Sequence, residues 1–139
     1  MTKHLLIVGH RNDISSDPDD AMEPYTPRGA GERLYKMVAL GRPRITKELY
    51  LDMIAFANAE PAPASTSSLI YTYQSTVVLG RAAWVLLRLP SHPVYWKEML
   101  PGVWLVPHPS GKNQVYNHMS AIVKTGDLIA RLSGLEEFK

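Results

Sequence analysis

The chain has 139 residues, 45% of them hydrophobic and 20% charged, which fits one globular domain over 1–139 with a core large enough to need no disulfide or metal. A formal charge of +2 permits contact with a polyanion but falls short of the basic balance that would by itself argue nucleic-acid binding. The absence of cysteine excludes disulfides, Cys-based zinc sites and cysteine-ligated iron–sulfur clusters, and no two of the five histidines (4, 10, 92, 108, 118) have the i, i+4 spacing of a zinc helix.

The chain starts with an apolar run of only four residues, Leu5-Leu6-Ile7-Val8, too short for a signal peptide or a membrane span, so a cytoplasmic protein with no membrane contact is expected. That run, closed by Gly9, predicts a strand buried on both faces of a parallel sheet. Residues 10–27, rich in Asp, Ser, Pro and Gly, are then a long loop at the strand's carboxyl end, where binding groups are expected. From Arg28 to Leu40 the spacing of Leu34, Met37, Val38 and Leu40 suits an amphipathic helix ended by Gly41 and Pro43.

A short helical turn in ELYLDM should lead to a second strand near 53–57, with Asn58 just beyond it. Pro61, Pro63 and a Ser/Thr cluster mark a loop, followed by a short helix at 67–74. Thr76-Val77-Val78-Leu79-Gly80 repeats the pattern of a buried strand and glycine, and RAAWVLLRL continues as a helix. Val103-Trp104-Leu105-Val106 is the fourth strand, delivering the corner Pro107-His108-Pro109-Ser110-Gly111. A helical pattern over 114–134, interrupted near Gly126, closes the chain. Trp84, Trp96 and Trp104 read as packing residues rather than as a base platform.

Strands alternating with helices predict an α/β fold, a three-layer α/β/α sandwich around a central, mainly parallel four-stranded sheet. Such sheets bind ligands at the carboxyl ends of their strands, where three polar corners converge: Gly9 to Asp13, Asn58, and His108 to Ser110. Backbone amides of Ser110 to Lys112, at the start of the last helix, would form an anion site with the Ser110 hydroxyl as a further donor. Flanking prolines leave His108 little backbone freedom, as expected of a group positioned before its ligand arrives. The amide of Asn58 suits the edge of a nucleobase. Plainer readings stand beside these: His108 as a turn residue capping the final helix, Asn12 and Asp13 as an Asx turn, Tyr25 as surface packing, Asn58 as a strand-end cap.

Three segments in order, LLIVGHRND, PYTPRGAGERL and LVPHPSGKNQVYN, resemble the uracil-DNA glycosylase superfamily. They look closest to its small glycosylase-like members, whose first loop reads Gly-Glu-Arg-Asn-Pro where this chain has Gly9-His10-Arg11-Asn12-Asp13. The resemblance implies a monofunctional DNA glycosylase that flips a uracil or related modified pyrimidine out of DNA and hydrolyses its N-glycosidic bond without a cofactor. It assigns the positioning of water to Asn12, with Asp13 as the alternative carboxylate, and stabilisation of the departing base at its O2 to His108. Gly9, His10, Tyr25 and Asn58 would line the base pocket, Tyr25 by stacking. Ser110, Gly111, Lys112 and Asn113 would contact DNA phosphates. Two departures qualify this: Asp13 replaces the family's proline, and Lys112-Asn113 stands where relatives carry a leucine-type wedge, which favours single-stranded or mismatched DNA. A catalytically inactive member that binds DNA or a nucleotide is the alternative. A monomer of bacterial or viral origin is expected.

Overall fold

The computed structural model describes residues 3–10, 29–59, 70–110 and 113–138. Asn12, Asp13, Tyr25, Gly111 and Lys112 lie outside them. The strands are β1 (Leu5–His10), β2 (Ile54–Ala59), β3 (Ser75–Leu79), β4 (Glu98–Leu100) and β5 (Val103–Val106). The α-helices that lie wholly among the described residues are α1 (Ala30–Ala39), α2 (Lys47–Met53), α3 (Arg81–Leu86) and α4 (Met119–Ser133), with 3-10 turns at Gln114–Asn117 and Leu135–Phe138.

The strands form one sheet in the order β2-β1-β3-β5-β4. β1 pairs in parallel with β2 and β3, and β3 in parallel with β5. Among the described residues the sheet therefore has five strands and not the expected four. The addition is β4, which runs antiparallel to β5 at the edge. Gly102, at φ 77°, makes the turn between them, with its amide donating to Glu98 Oε2 at 2.8 Å.

Side chains alternate across the pleat and build two apolar layers. Leu5, Ile7, Val77, Leu79 and Val106 pack with Leu34, Val38, Tyr50 and Ile129 of α1, α2 and α4. Leu6, Val8, Val78, Val103 and Leu105 pack with Ala83 and Trp84 of α3. Helices thus cover both faces of the sheet. Trp84 is fully buried, and Trp96 and Trp104 pack partly buried against the first layer, as expected of packing residues.

Several expected boundaries move. β1 continues through Gly9 and His10 because both pair with β2, opposite Asn58 and Ala59; Asn58 lies inside β2 and not beyond it. Of the helix expected at 67–74, residues 67–69 lie outside the described residues and Ile70 is helical, but 71–74 form a turn into β3 that the Thr76 hydroxyl secures by donating to the Ile70 carbonyl at 2.8 Å. α3 stops at Leu86, before the left-handed Arg88 (φ 55°) and Pro90.

Gly126 does not interrupt the last helix: α4 runs unbroken from Met119 to Ser133. A Cβ at Gly126 would stand 2.2 Å from the Met37 carbonyl oxygen, so the missing side chain is what lets α4 touch the backbone of α1. Arg42 strengthens this junction. Its buried guanidinium donates to the Val38 carbonyl at the end of α1 and pairs with Asp127 of α4 at 2.7 Å.

Candidate functional site

The strand order places β1 between β2 and β3, and open α/β sheets present their ligand crevice at such a reversal, outside the carboxyl ends of the strands. Gly9 and Asn58 sit side by side there, in register on β1 and β2, and the backbone of His10 follows. Across the crevice β3 ends at Leu79, and Gly80 keeps its pairing with β5 by donating its amide to Val106 at 2.8 Å. The chain then turns through Pro107 into His108.

Gly80 is the floor on which His108 rests. It has φ 87°, a conformation L side chains rarely adopt, and a Cβ there would come within 3.0 Å of the His108 Cβ. The imidazole is half-buried, and its Nδ1 accepts the Ser110 amide N–H at 3.1 Å. An Nδ1 that accepts carries no proton, so the neutral ring holds its hydrogen on Nε2, which becomes its donor face.

Asn113 clasps this corner. Its Nδ2 donates to the His108 carbonyl at 3.0 Å, its backbone amide donates to the Ser110 carbonyl at 3.0 Å, and its Oδ1 accepts from Val115 N at 3.2 Å. The side chain thereby caps the 3-10 turn Gln114–Asn117. Two expectations change. The last helix begins at Met119, well after the corner, because Asn113 caps that separate turn and the chain becomes extended again at His118 (φ −100°, ψ 126°). His108 therefore does not cap the final helix, and the corner is not a helix N-terminus. The Ser110 amide serves the imidazole and is therefore not a donor for an anion.

A directed hydrogen-bond chain supports the corner from beneath. The Trp96 indole N–H, which can only donate, gives its hydrogen to Thr125 Oγ1 at 2.9 Å. The Thr125 hydroxyl gives its own to the Tyr116 oxygen at 3.0 Å, and the Tyr116 hydroxyl donates to the Pro107 carbonyl at 2.6 Å. Thr125 is fully buried in α4. Burial holds the Tyr116 phenol far above its ordinary range, with Tyr95 adding to the shift and the Thr125 hydrogen bond opposing it, so the donor is intact at neutral pH. Trp96 occupies its place at φ 60°, a strained backbone for a bulky residue, secured by the hydrogen bond its backbone N–H donates to the Leu105 carbonyl at 2.8 Å.

Beyond the corner, between α1 and the segment that follows Pro109, runs an open groove of about 450 Å³. Ser110 belongs to its wall, the ring of Tyr116 lines it, and Arg33 and Lys36 of α1 stand opposite. The groove adjoins the His108 corner but does not reach Gly9 or Asn58, so it is a second concavity beside the crevice.

The fold thus gathers Gly9, Asn58 and His108 at one sheet edge and puts Ser110 and Asn113 on the adjoining turn. The amino-acid sequence does not single out Gly80, Trp96, Tyr116, Thr125 or the two α1 cations as site residues. Only Gly80 leaves a signal, the glycine closing a buried-strand run. Among the described residues no cluster of three or more His, Asp or Glu could hold a metal ion, and no helix is long and apolar enough to cross a membrane. In comparisons with known proteins, no family model, no curated protein and no solved structure matches the chain.

Proposed function

We propose that the chain is a monofunctional DNA glycosylase that hydrolyses the N-glycosidic bond of uracil or a related modified pyrimidine in DNA. The observation that carries this reading is the His108 corner: a neutral imidazole seated on Gly80, with Nδ1 tied to Ser110 N–H and the proton on Nε2. Cleavage of the bond between C1′ and the base nitrogen leaves the electron pair on the base and an oxocarbenium-like sugar. The Nε2–H would donate to the base O2 as negative charge builds there, a contact stronger in the transition state than in the ground state. Water positioned by Asn12, or deprotonated by Asp13, would add its oxygen to C1′, and its proton would pass through Asp13 or solvent to the departing base, leaving an abasic site and the neutral free base.

In this reading Asn58 meets the pyrimidine edge, Tyr25 stacks on the ring, and the Ser110 hydroxyl, Gly111 and Lys112 face a flanking phosphate. A single-stranded or mismatched substrate fits best. The Asn113 side chain is engaged by His108 and Val115 and is therefore not a wedge for an opened duplex.

The test is incubation with oligonucleotides carrying uracil or other modified pyrimidines, single-stranded and duplex, followed by alkaline cleavage at abasic sites. The native chain should generate them. His108→Ala should slow the reaction about 100- to 1,000-fold, the usual loss for one such donor. Asn12→Ala or Asp13→Ala should abolish cleavage while binding survives. A native chain that binds these oligonucleotides and never leaves an abasic site is a binding protein, and the glycosylase reading is then wrong.

A further inference from the structure

Resting on that reading, we infer that the groove beside the corner holds the nucleotide adjacent to the target on the same DNA strand, with its base against the apolar floor and its phosphate between the α1 cations and Ser110. The groove's volume, about 450 Å³, lies within the range of small-ligand sites. Its lining divides by chemistry. Met37, Pro109 and Ile122 make an apolar floor beside the ring of Tyr116, while Arg33, Lys36 and Ser110 form a polar rim.

Among the described residues that line it the charge is one-sided, since none of them is a carboxylate. Among the described residues the Arg33 guanidinium has no ion-pair or hydrogen-bond partner. Lys36 pairs with Glu32 at 3.2 Å, but its side chain is 70% exposed and Glu32 is shared with Lys47 at 3.9 Å. A surface pair of that kind yields to a phosphate at little cost.

The Tyr116 ring is a fixed surface because its hydroxyl is held by Pro107 and Thr125. A base lying against it loses no protein conformational freedom, which suits recognition of a strand without regard to its sequence. Continuity with the crevice decides the occupant. Pro109 and Ser110 follow His108 directly and line the groove, so a strand whose target base reaches His108 has its next phosphate within the groove's span. An apolar peptide would find a similar floor but would leave the two cations unmatched.

The experiment measures fluorescence anisotropy of a labelled single-stranded oligonucleotide bearing one uracil, as a function of salt, on the native chain and on Arg33→Gln/Lys36→Gln. Neither residue is among the buried positions of α1, and unchanged circular dichroism confirms the fold. We expect binding to weaken at least about tenfold, with a log–log salt slope shallower by about 0.7 for each phosphate that is no longer neutralised. In the cleavage assay the double variant should raise KM and leave kcat unchanged. An abasic spacer beside the uracil, tried on each side in turn, should weaken binding about 5- to 100-fold on one side only. Native affinity and slope in the double variant overturn the groove assignment even when cleavage proceeds. Binding that responds to these changes without any cleavage keeps the groove and removes the glycosylase. A native chain that binds no oligonucleotide removes both.

Discussion

Replacing Tyr116 by Phe deletes one oxygen and breaks a directed chain at its middle. The Pro107 carbonyl loses the donor at 2.6 Å, and the fully buried Thr125 hydroxyl loses the acceptor at 3.0 Å. Each buried polar group left without its partner costs about 1–3 kcal/mol, and since Thr125 can redirect its hydrogen within α4, about 2 kcal/mol in total is the expected loss. An unfolding entropy of about 2.1 cal/mol/K per residue makes roughly 0.3 kcal/mol/K for 139 residues, so the melting temperature should fall by about 7 °C. Thermal melts by circular dichroism read this directly. Thr125→Val breaks the same chain one link earlier, stranding the Trp96 indole donor, and the double variant should be less destabilised than the two singles added together, because all three groups belong to one network. If the proposed glycosylase reading holds, cleavage of uracil-containing single strands should slow by about tenfold or more, since Pro107 carries His108 and small misplacements of a reacting group are costly. A Tyr116→Phe melting temperature within about 1 °C of the native value would refute the hydrogen-bond chain.

Gly126→Ala puts a Cβ 2.2 Å from the Met37 carbonyl oxygen, and because backbone cannot swing aside, α1 and α4 must part; urea titration should show a loss of about 3 kcal/mol. Gly80→Ala combines strain at φ 87° with a 3.0 Å approach to the His108 Cβ, so it should cost about 1–2 kcal/mol in stability, and on the proposed reading cleavage should fall further than that stability loss accounts for. Tyr50→Phe removes a fully buried hydroxyl with no hydrogen-bond partner among the described residues, and melts at neutral pH should show a stability unchanged or slightly raised. Burial raises the Tyr50 and Tyr116 phenols well above an ordinary tyrosine's 10.0, so above pH 10 the unfolded chain releases protons that the folded chain keeps. Stability is then complete below pH 10 and declines above it by about 2.7 kcal/mol per pH unit for the two groups together. Denaturant titrations from pH 9 to 11 should find stability level at the lower end and falling towards that slope at the upper end, with the fall roughly halved in Tyr50→Phe.

The parallel strands were legible because burial on both faces writes itself as an unbroken apolar run, seen at Leu5–Val8, Thr76–Leu79 and Val103–Val106. β4 was not, since an edge strand of three residues, partly exposed, carries no such run. Gly126 shows a limit of periodicity: a glycine that breaks a helix and one that admits a neighbouring helix look alike until the neighbour's position is known. Pro-Ser-Gly after His108 resembles a helix start, yet Asn113 caps a separate 3-10 turn, a difference made by which amide reaches which oxygen. His108 itself stood out through its flanking prolines. Its supporters Trp96, Tyr116 and Thr125 come from a strained loop, a 3-10 turn and a helix, and no local pattern links them. Asn12, Asp13 and Tyr25 lie outside the described residues, so their roles rest on the sequence.

The parallel sheet also bears on how the site comes into being. Leu5 pairs with Ser75 and Thr76 with Val103, so the crevice edge is closed by contacts between segments far apart along the chain. Such high contact order makes folding slow compared with helical proteins of the same size, because each long loop must close before its pairing is rewarded. The Gly80–His108 contact depends on the β3–β5 pairing, the last of these to become available during synthesis. A nascent or partly unfolded chain therefore has no working corner, and loss of activity on heating should coincide with global unfolding.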